Sequence, residues 1–192
     1  MLYRIRRRLQ ALQPKLNVEL FYYHSLNEIN KMECRVPIKI QTLNKKDLYR
    51  LNEVKRLNIN RLLERHNRGD MCYVAIVNDS KIASYHWVQE IGSHYIQQAG
   101  RFEEVRNNEA WIYHVRVAEN YRGNRINGAV YQRILTDCKE RGIKKVWVYT
   151  NLLNNQNRKG LEKLGFVLDY KIYSLYFKNK YYQLYKKKLP YA

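Results

Sequence analysis

Cysteine is scarce in this chain, with three thiols among 192 residues. Cys34, Cys72 and Cys138 are odd in number, widely spaced and set among apolar neighbours. That pattern speaks against a disulfide framework or a metal cluster and for buried thiols in a reducing compartment. Long apolar runs are missing too. The longest, Met71–Val77, falls far short of the roughly 18 residues that span a bilayer, and no cleavable signal pattern precedes it. A cytoplasmic location is expected. Acidic residues are few, 17 Asp plus Glu against 36 Lys plus Arg, which leaves a formal net charge of +19. Such a balance attracts polyanions, anionic lipids or phosphorylated small molecules at long range. The basic residues form no dominating block, so a dedicated nucleic-acid site is not expected. There is no internal repeat.

What is present suffices for one core. Apolar residues make up 45% of the sequence, ordinary for a folded domain, and the length fits a single domain with a short appendage. The appendage is expected over residues 1–34. Within it Leu2, Ile5, Leu9 and Leu12 recur at helical spacing among Arg4, Arg6, Arg7 and Arg8 until Pro14. A basic amphipathic helix of this kind can lie peripherally on the inner, anionic face of a membrane, clasp a partner, or fold back on its own domain.

The main domain is expected over 35–192. Val36, Ile38 and Ile40 alternate as in a strand, and the apolar spacing from Leu48 to Leu63 predicts one bent helix or two short ones before Gly69. Met71–Val77 and Ile82–Gln89 read as a hairpin across Asn78-Asp79-Ser80-Lys81. Residues 91–109 lack periodicity and read as a long connection with at most a short strand. Trp111–Val117, then Ile126, Val130, Ile134 and Cys138 at every fourth position, then Lys145–Thr150 give strand, helix and parallel strand. A short helix from about Asn155 to Leu164 and two Tyr-rich strands, Val167–Phe177 and Tyr181–Lys187, complete an α+β scheme. Tyr181, Tyr182 and Tyr185 among lysines permit base stacking, but their place on a terminal hairpin favours strand packing.

Tyr121-Arg122-Gly123-Asn124-Arg125-Ile126-Asn127-Gly128 resembles the acyl-CoA loop of the GNAT acetyltransferases, whose usual form is Arg or Gln, two residues, Gly, one residue, then Gly or Ala. Asn154 precedes the Gly165-Phe166 pair by the eleven residues usual in that family. The segments from Arg68 to Ala75 and from Ile82 to Trp87 look like its second and third strands. The resemblance covers about residues 35–187 and implies a GNAT-like fold, a central, mostly antiparallel mixed sheet flanked by helices. It implies transfer of an acetyl or other acyl group from acyl-CoA, with no metal, to an amine or, second to it, a hydroxyl of a small or sugar-linked acceptor. The alternative is a non-catalytic module of the same fold that binds a partner, an anionic membrane surface or nucleic acid.

By the same resemblance the backbone of Val115, Arg116 and Val117 pairs with the pantetheine arm. Asn154 either approaches that arm or caps the following helix. Arg122, Gly123, Asn124, Arg125, Ile126, Asn127 and Gly128 wrap the pyrophosphate at a helix N-terminus, where free N–H groups and the helix dipole favour an anion. Arg122 and Arg125 add charge, and Gly123 and Gly128 allow close backbone approach. Arg125 and Asn127 stand where the family has glycine or alanine. Leu161 stands where many members carry a Tyr that protonates the leaving thiolate, so Tyr149, Tyr170 and Tyr173 become candidates for that step. For the base that deprotonates the acceptor, Glu90, His114 and His86 are the candidates on the third and fourth strands.

Overall fold

The uninterrupted apolar run Met71–Val77 shows no alternation because, as strand β3, nearly every one of its side chains is buried, whichever face of the sheet it meets. The computed structural model describes residues 14–189, and the basic helix expected over 1–13 lies outside them. Among the described residues ten strands run in the order β1 (Lys15–His24), β2 (Lys39–Thr42), β3 (Met71–Val77), β4 (Lys81–Gln89), β5 (Ser93–Ile96), β6 (Arg101–Glu104), β7 (Glu109–Val117), β8 (Lys145–Asn151), β9 (Val167–Phe177) and β10 (Lys180–Lys188). The α-helices are α1 (Ile59–Asn67), α2 (Ile126–Glu140) and α3 (Asn155–Lys163), and 3₁₀ turns cover Lys45–Glu53, Gln97–Ala99 and Glu119–Tyr121. The principal sheet has the strand order β10-β9-β1-β8-β7-β4-β3-β2, and β5 and β6 form a separate hairpin. Every pairing is antiparallel except β7 with β8. This is the mixed, mostly antiparallel sheet flanked by helices that the sequence implied.

Local chemistry accounts for the turns and ends. Lys178 and Asn179 (φ 47° and 63°) take the left-handed region, as a two-residue hairpin turn requires, and Asn78 and Asp79 (φ 50° and 55°) do so within the three-residue connection from Val77 to Lys81. Helix α3 closes on Gly165, φ 90°. The Gly165 N–H donates to Glu162 O and the Phe166 N–H to Leu161 O, which satisfies two carbonyls that the helix end would otherwise leave open.

Two cores lie on opposite faces of the sheet. On the first, Ile126, Val130, Tyr131, Ile134, Leu135 and Cys138 of α2 and Leu161 of α3 pack against Leu20, Tyr22, Ala83, Val88, Ile112 and Val148. Each such buried side chain contributes about 1.5–3 kcal/mol relative to exposure. On the second, Leu48, Leu51 and Leu62 cover Val74, Tyr85 and Trp87, and Ile96 and Ala99 cover Phe21, Trp111 and Tyr170.

Three elements differ from the sequence reading. Residues 15–24, read as part of an appendage ending at 34, form β1 in the middle of the sheet, between β8 and β9. Leu20 and Tyr22 enter the first core and Phe21 the second, so the strand is apolar on both faces and lacks the alternation that betrays a half-buried one. The strand expected from residue 35 is shorter, Lys39–Thr42, and lies at the sheet edge. The expected long connection over 91–109 holds the β5–β6 hairpin, whose Gln97–Ala99 turn packs against β9 and β1.

Candidate active site

The site grows out of one interruption in the sheet. β7 and β8 pair only from Glu109↔Lys145 to Ile112↔Val148, yet β7 continues to Val117 and β8 to Asn151. Beyond the last pair each strand keeps only its other neighbour, β4 for β7 and β1 for β8. The backbone edge of β7 from Tyr113 onward that faces β8 is therefore open to an extended, amide-bearing ligand. The parting coincides with a bulge: the β4–β7 register shifts between Tyr85 and Trp87, and His114 takes φ 48°. A bulge bends its strand and re-aims side chains.

At the mouth of the cleft the chain runs through residues 118–125 into α2. Gly123 has φ 84° with open space where a Cβ would point. Arg125, the residue before the helix, has φ 59°, no side chain caps the helix, and its first turn holds no acidic residue. The N–H groups of Ile126, Asn127 and Gly128 are thus the unpaired donors of a helix start. The left-handed backbone at Arg125 explains why glycine is usual there and costs a non-glycine residue about 1–2 kcal/mol.

Asn127 directs its side chain inward. Its Nδ2 donates to Asn157 Oδ1 at 3.3 Å, and it lies beside the buried His86 ring. The departure from Gly or Ala thus fills interior space and leaves the backbone donors uncovered. Gly128 differs from expectation: a Cβ there would meet Met32 Cγ at 2.5 Å, so its glycine serves the crossing of the 25–38 segment over α2. Asn154 caps α3, its Oδ1 accepting the Asn157 N–H at 3.2 Å. For the acyl-CoA that the resemblance implies, the residues fit: an open strand edge leads to an uncapped helix start with Arg122 and Arg125 exposed beside it.

The three base candidates do not converge. Glu90, at the end of β4, pairs with Arg141 at the C-terminal end of α2. The 15 residues of that helix put it ~22 Å from the donors at the helix start. His86 faces α2 with its ring 5.0 Å from that of Tyr131, and burial pushes its pKa down to about 3. Neither His86 nitrogen has a well-formed hydrogen bond. His114 borders the cleft on the second face, and its Nδ1 meets the Arg65 guanidinium. Arginine only donates, so Nδ1 accepts and the proton resides on Nε2. His114 is held as a neutral donor, its pKa lowered to about 3 by burial first and then by Arg65, Arg116 and Lys55.

Sequence reasoning missed the polar groups that the second face gathers around the cleft. Asp70, buried, accepts from Arg68 Nε at 3.0 Å and from the Tyr113 hydroxyl. His94 is hydrogen-bonded to Gln89 Oε1 at 2.9 Å, and its ring lies 4.7 Å from Tyr113 and 5.9 Å from Tyr149. Glu19 on β1 is 3% exposed, and its Oε1 accepts from Asn17 Nδ2 at 3.3 Å and Asn151 Nδ2 at 3.1 Å. Burial raises its pKa, opposed by those two amides. Unlike Asp70, Glu19 has no cationic partner within salt-bridge distance among the described residues. Each of these is a single polar residue inside an apolar strand or at a turn, with no motif around it.

Leu161 is core. Of the tyrosines weighed in its place, Tyr170 stacks on Phe21 at 4.4 Å and directs its hydroxyl to Glu103, and Tyr173 packs with Tyr185. Tyr149 alone borders the parting, one residue past the last β7–β8 pair. Burial first, then the Glu19 charge, raises its pKa, so it keeps its proton.

Comparisons with known proteins place these features in a wider setting. Residues 39–166 match the model of the acetyltransferase (GNAT) family. No curated protein sequence matches the chain. A GCN5-related N-acetyltransferase from Sphaerobacter thermophilus superposes with a TM-score of 0.62 at 16% identity, over 91% of this chain and 55% of that one. A GNAT-family structure from Novosphingobium aromaticivorans gives 0.59 at 13% identity, over 83% and 63%. The ribosomal-protein-S18-alanine N-acetyltransferase of Escherichia coli gives 0.54 at 15%, over 67% and 77%. The first two are longer proteins, of which this chain spans less than two thirds, and at such identities the likeness concerns the fold.

Proposed function

Because the chain belongs to the GNAT acetyltransferase family, with residues 39–166 on its model, we propose that it transfers an acetyl or other acyl group from acyl-CoA to an amine of a small or sugar-linked acceptor. The observation that carries this reading is the parting of β7 from β8 next to an uncapped helix start. In this reading the pyrophosphate lies against the N–H groups of Ile126, Asn127 and Gly128, with Arg122 and Arg125 supplying charge. The pantetheine arm pairs with the edge formed by Val115, Arg116 and Val117, which brings the thioester toward the bulge at His114. A backbone N–H of that strand holds the oxyanion.

The amine nitrogen attacks the thioester carbonyl, the C–S bond breaks, and the amine proton must leave. Glu19 is the proton acceptor in this scheme, because its carboxyl is buried on the acceptor face, raised in pKa and free of a cationic partner among the described residues. Tyr149, on β8 next to β1, keeps its proton and donates a hydrogen bond to the departing thiolate, while Glu19 holds the proton lost by the amine. His114 donates through Nε2 and does not act as base.

Calorimetric titration of acetyl-CoA and CoA into the full chain tests the reading. Saturable binding at micromolar concentration that weakens at least tenfold in Arg122→Ala is expected. Absence of binding up to millimolar ligand sinks it.

A further inference from the structure

Around His114 the second face gathers hydrogen-bond donors, and the nearby carboxylate of Asp70 is already engaged by Arg68 and Tyr113. Arg65 lies over the Trp87 ring at 5.5 Å and the Tyr113 ring at 5.2 Å and reaches His114 Nδ1 with one nitrogen, which leaves further N–H groups of its fork unused. His114 Nε2 carries a proton, as the tautomer argument requires. The Tyr85 ring is 5.5 Å from His114, and its hydroxyl is buried without a well-formed hydrogen bond. Arg116, across the strand pair from Tyr85, and Lys55 complete the group; both are exposed and both act electrostatically on His114. None of Lys55, Arg65 and Arg116 forms a salt bridge among the described residues.

Three like charges drawn together over a low-dielectric aromatic floor repel one another, and an anion among them relieves that repulsion. A buried hydroxyl without a partner is unfavourable, and an incoming acceptor atom relieves that cost. Arginine forks and a fixed imidazole N–H suit the oxygens of a carboxylate or phosphate. The group faces the cleft at the point where β7 leaves β8, next to where the acyl carbon lies in the proposed reaction.

We propose that Lys55, Arg65, Tyr85, His114 and Arg116 form a subsite for an oxyanion, a carboxylate or phosphate, carried by the acceptor amine. The substrate class is thereby narrowed from amines in general to amines bearing a negative group. This rests on the acyl-transfer reading for the identity of the substrate, while the subsite itself is measurable without it.

The test is calorimetric titration of inorganic phosphate into the full chain at constant ionic strength, with CoA present to occupy the helix start. Saturable millimolar binding is expected in the parent. It should weaken about tenfold in Arg65→Met and severalfold in Tyr85→Phe, a variant that keeps the buried ring and removes a hydroxyl without a well-formed hydrogen bond. Equal phosphate affinity in all three proteins, or no binding in the parent, overturns the subsite. Matched amines then identify the carrier: O-phosphoethanolamine should exceed ethanolamine in kcat/KM by tenfold or more, and Arg65→Met should erase the difference. If succinyl-CoA instead gains over acetyl-CoA in the parent and loses that gain in Arg65→Met, the anion belongs to the acyl group and the acceptor assignment is overturned. Failure of CoA to bind while Arg65-dependent phosphate binding persists in its absence removes the acyl-transfer reading and leaves the subsite standing.

Discussion

His86 and His114 share a residue type, lie on adjacent strands, and have pKa values lowered to about the same value, near 3, yet they belong to regions built on different principles. Around His86 the first face is packed: the ring lies against Tyr131, neither of its nitrogens has a well-formed hydrogen bond, and burial is what depresses the imidazole. The second face, around His114, is wired: Asp70 with Tyr113 and Arg68, His94 with Gln89, Glu19 with two asparagines. There the imidazole is depressed by burial and also by named cations. Equal titration behaviour therefore conceals one residue that fills space and one that is aimed.

Acid should break both regions and produce the largest effect. An unfolded chain binds protons to His86 and His114 near their ordinary 6.5, whereas the folded chain takes them up only near 3. Stability is thus complete above about pH 6.5 and is lost progressively as pH falls through that window. At about 1.4 kcal/mol per unit, His86 alone withdraws on the order of 4 kcal/mol by pH 3. Thermal melts from pH 7 to 4 should show the decline. The comparison sharpens in Arg65→Met, where imidazole proton resonances should report a raised pKa for His114 and none for His86.

Glu19→Gln comes next. It keeps the shape and can still be held by Asn17 and Asn151, so the fold should persist while kcat falls about 10²-fold, the low end for loss of a general base. A kcat within threefold of the parent would remove Glu19 from the reaction. The smallest effects come from the loop, where two departures from a plain glycine pattern have opposite signs. Gly128→Ala pushes a methyl into Met32 and should destabilise by about 1–3 kcal/mol, whereas Arg125→Gly relieves a left-handed backbone and should stabilise by ~1 kcal/mol. Denaturant midpoints separate the two.

Much of this was legible in the sequence where chemistry is local. The loop from Arg122 to Gly128, both principal hairpins, the ends of α2 and α3, and the strand–helix–strand unit from Trp111 to Thr150 all follow from periodicity, turn residues and glycine stops. The acceptor side was not legible, because Glu19, Arg65, Asp70, Tyr85, His94, Tyr113 and Tyr149 come from separate elements and meet only through pairing of distant strands. The left-handed backbone of His114 carries no signal either, since it arises from a mismatch in length between two strands. Asn154 was left open between two roles, and the geometry of α3 gives it the cap.

The position of β1 carries a consequence for how the chain reaches its native state. Lys15–His24 is made early, yet its neighbours are β8 and β9, with pairs such as Glu19↔Asn151 and Lys15↔Tyr176. During synthesis this strand emerges long before anything exists for it to pair with, and closing such long loops is the slow part of acquiring a topology. Until β8 has been made, β1 is an apolar ribbon with two unsatisfied edges, and until β9 follows it keeps one, the kind of surface that chaperones hold and that neighbouring chains capture. An interior strand of the finished sheet thus waits for its neighbours until most of the chain has been made.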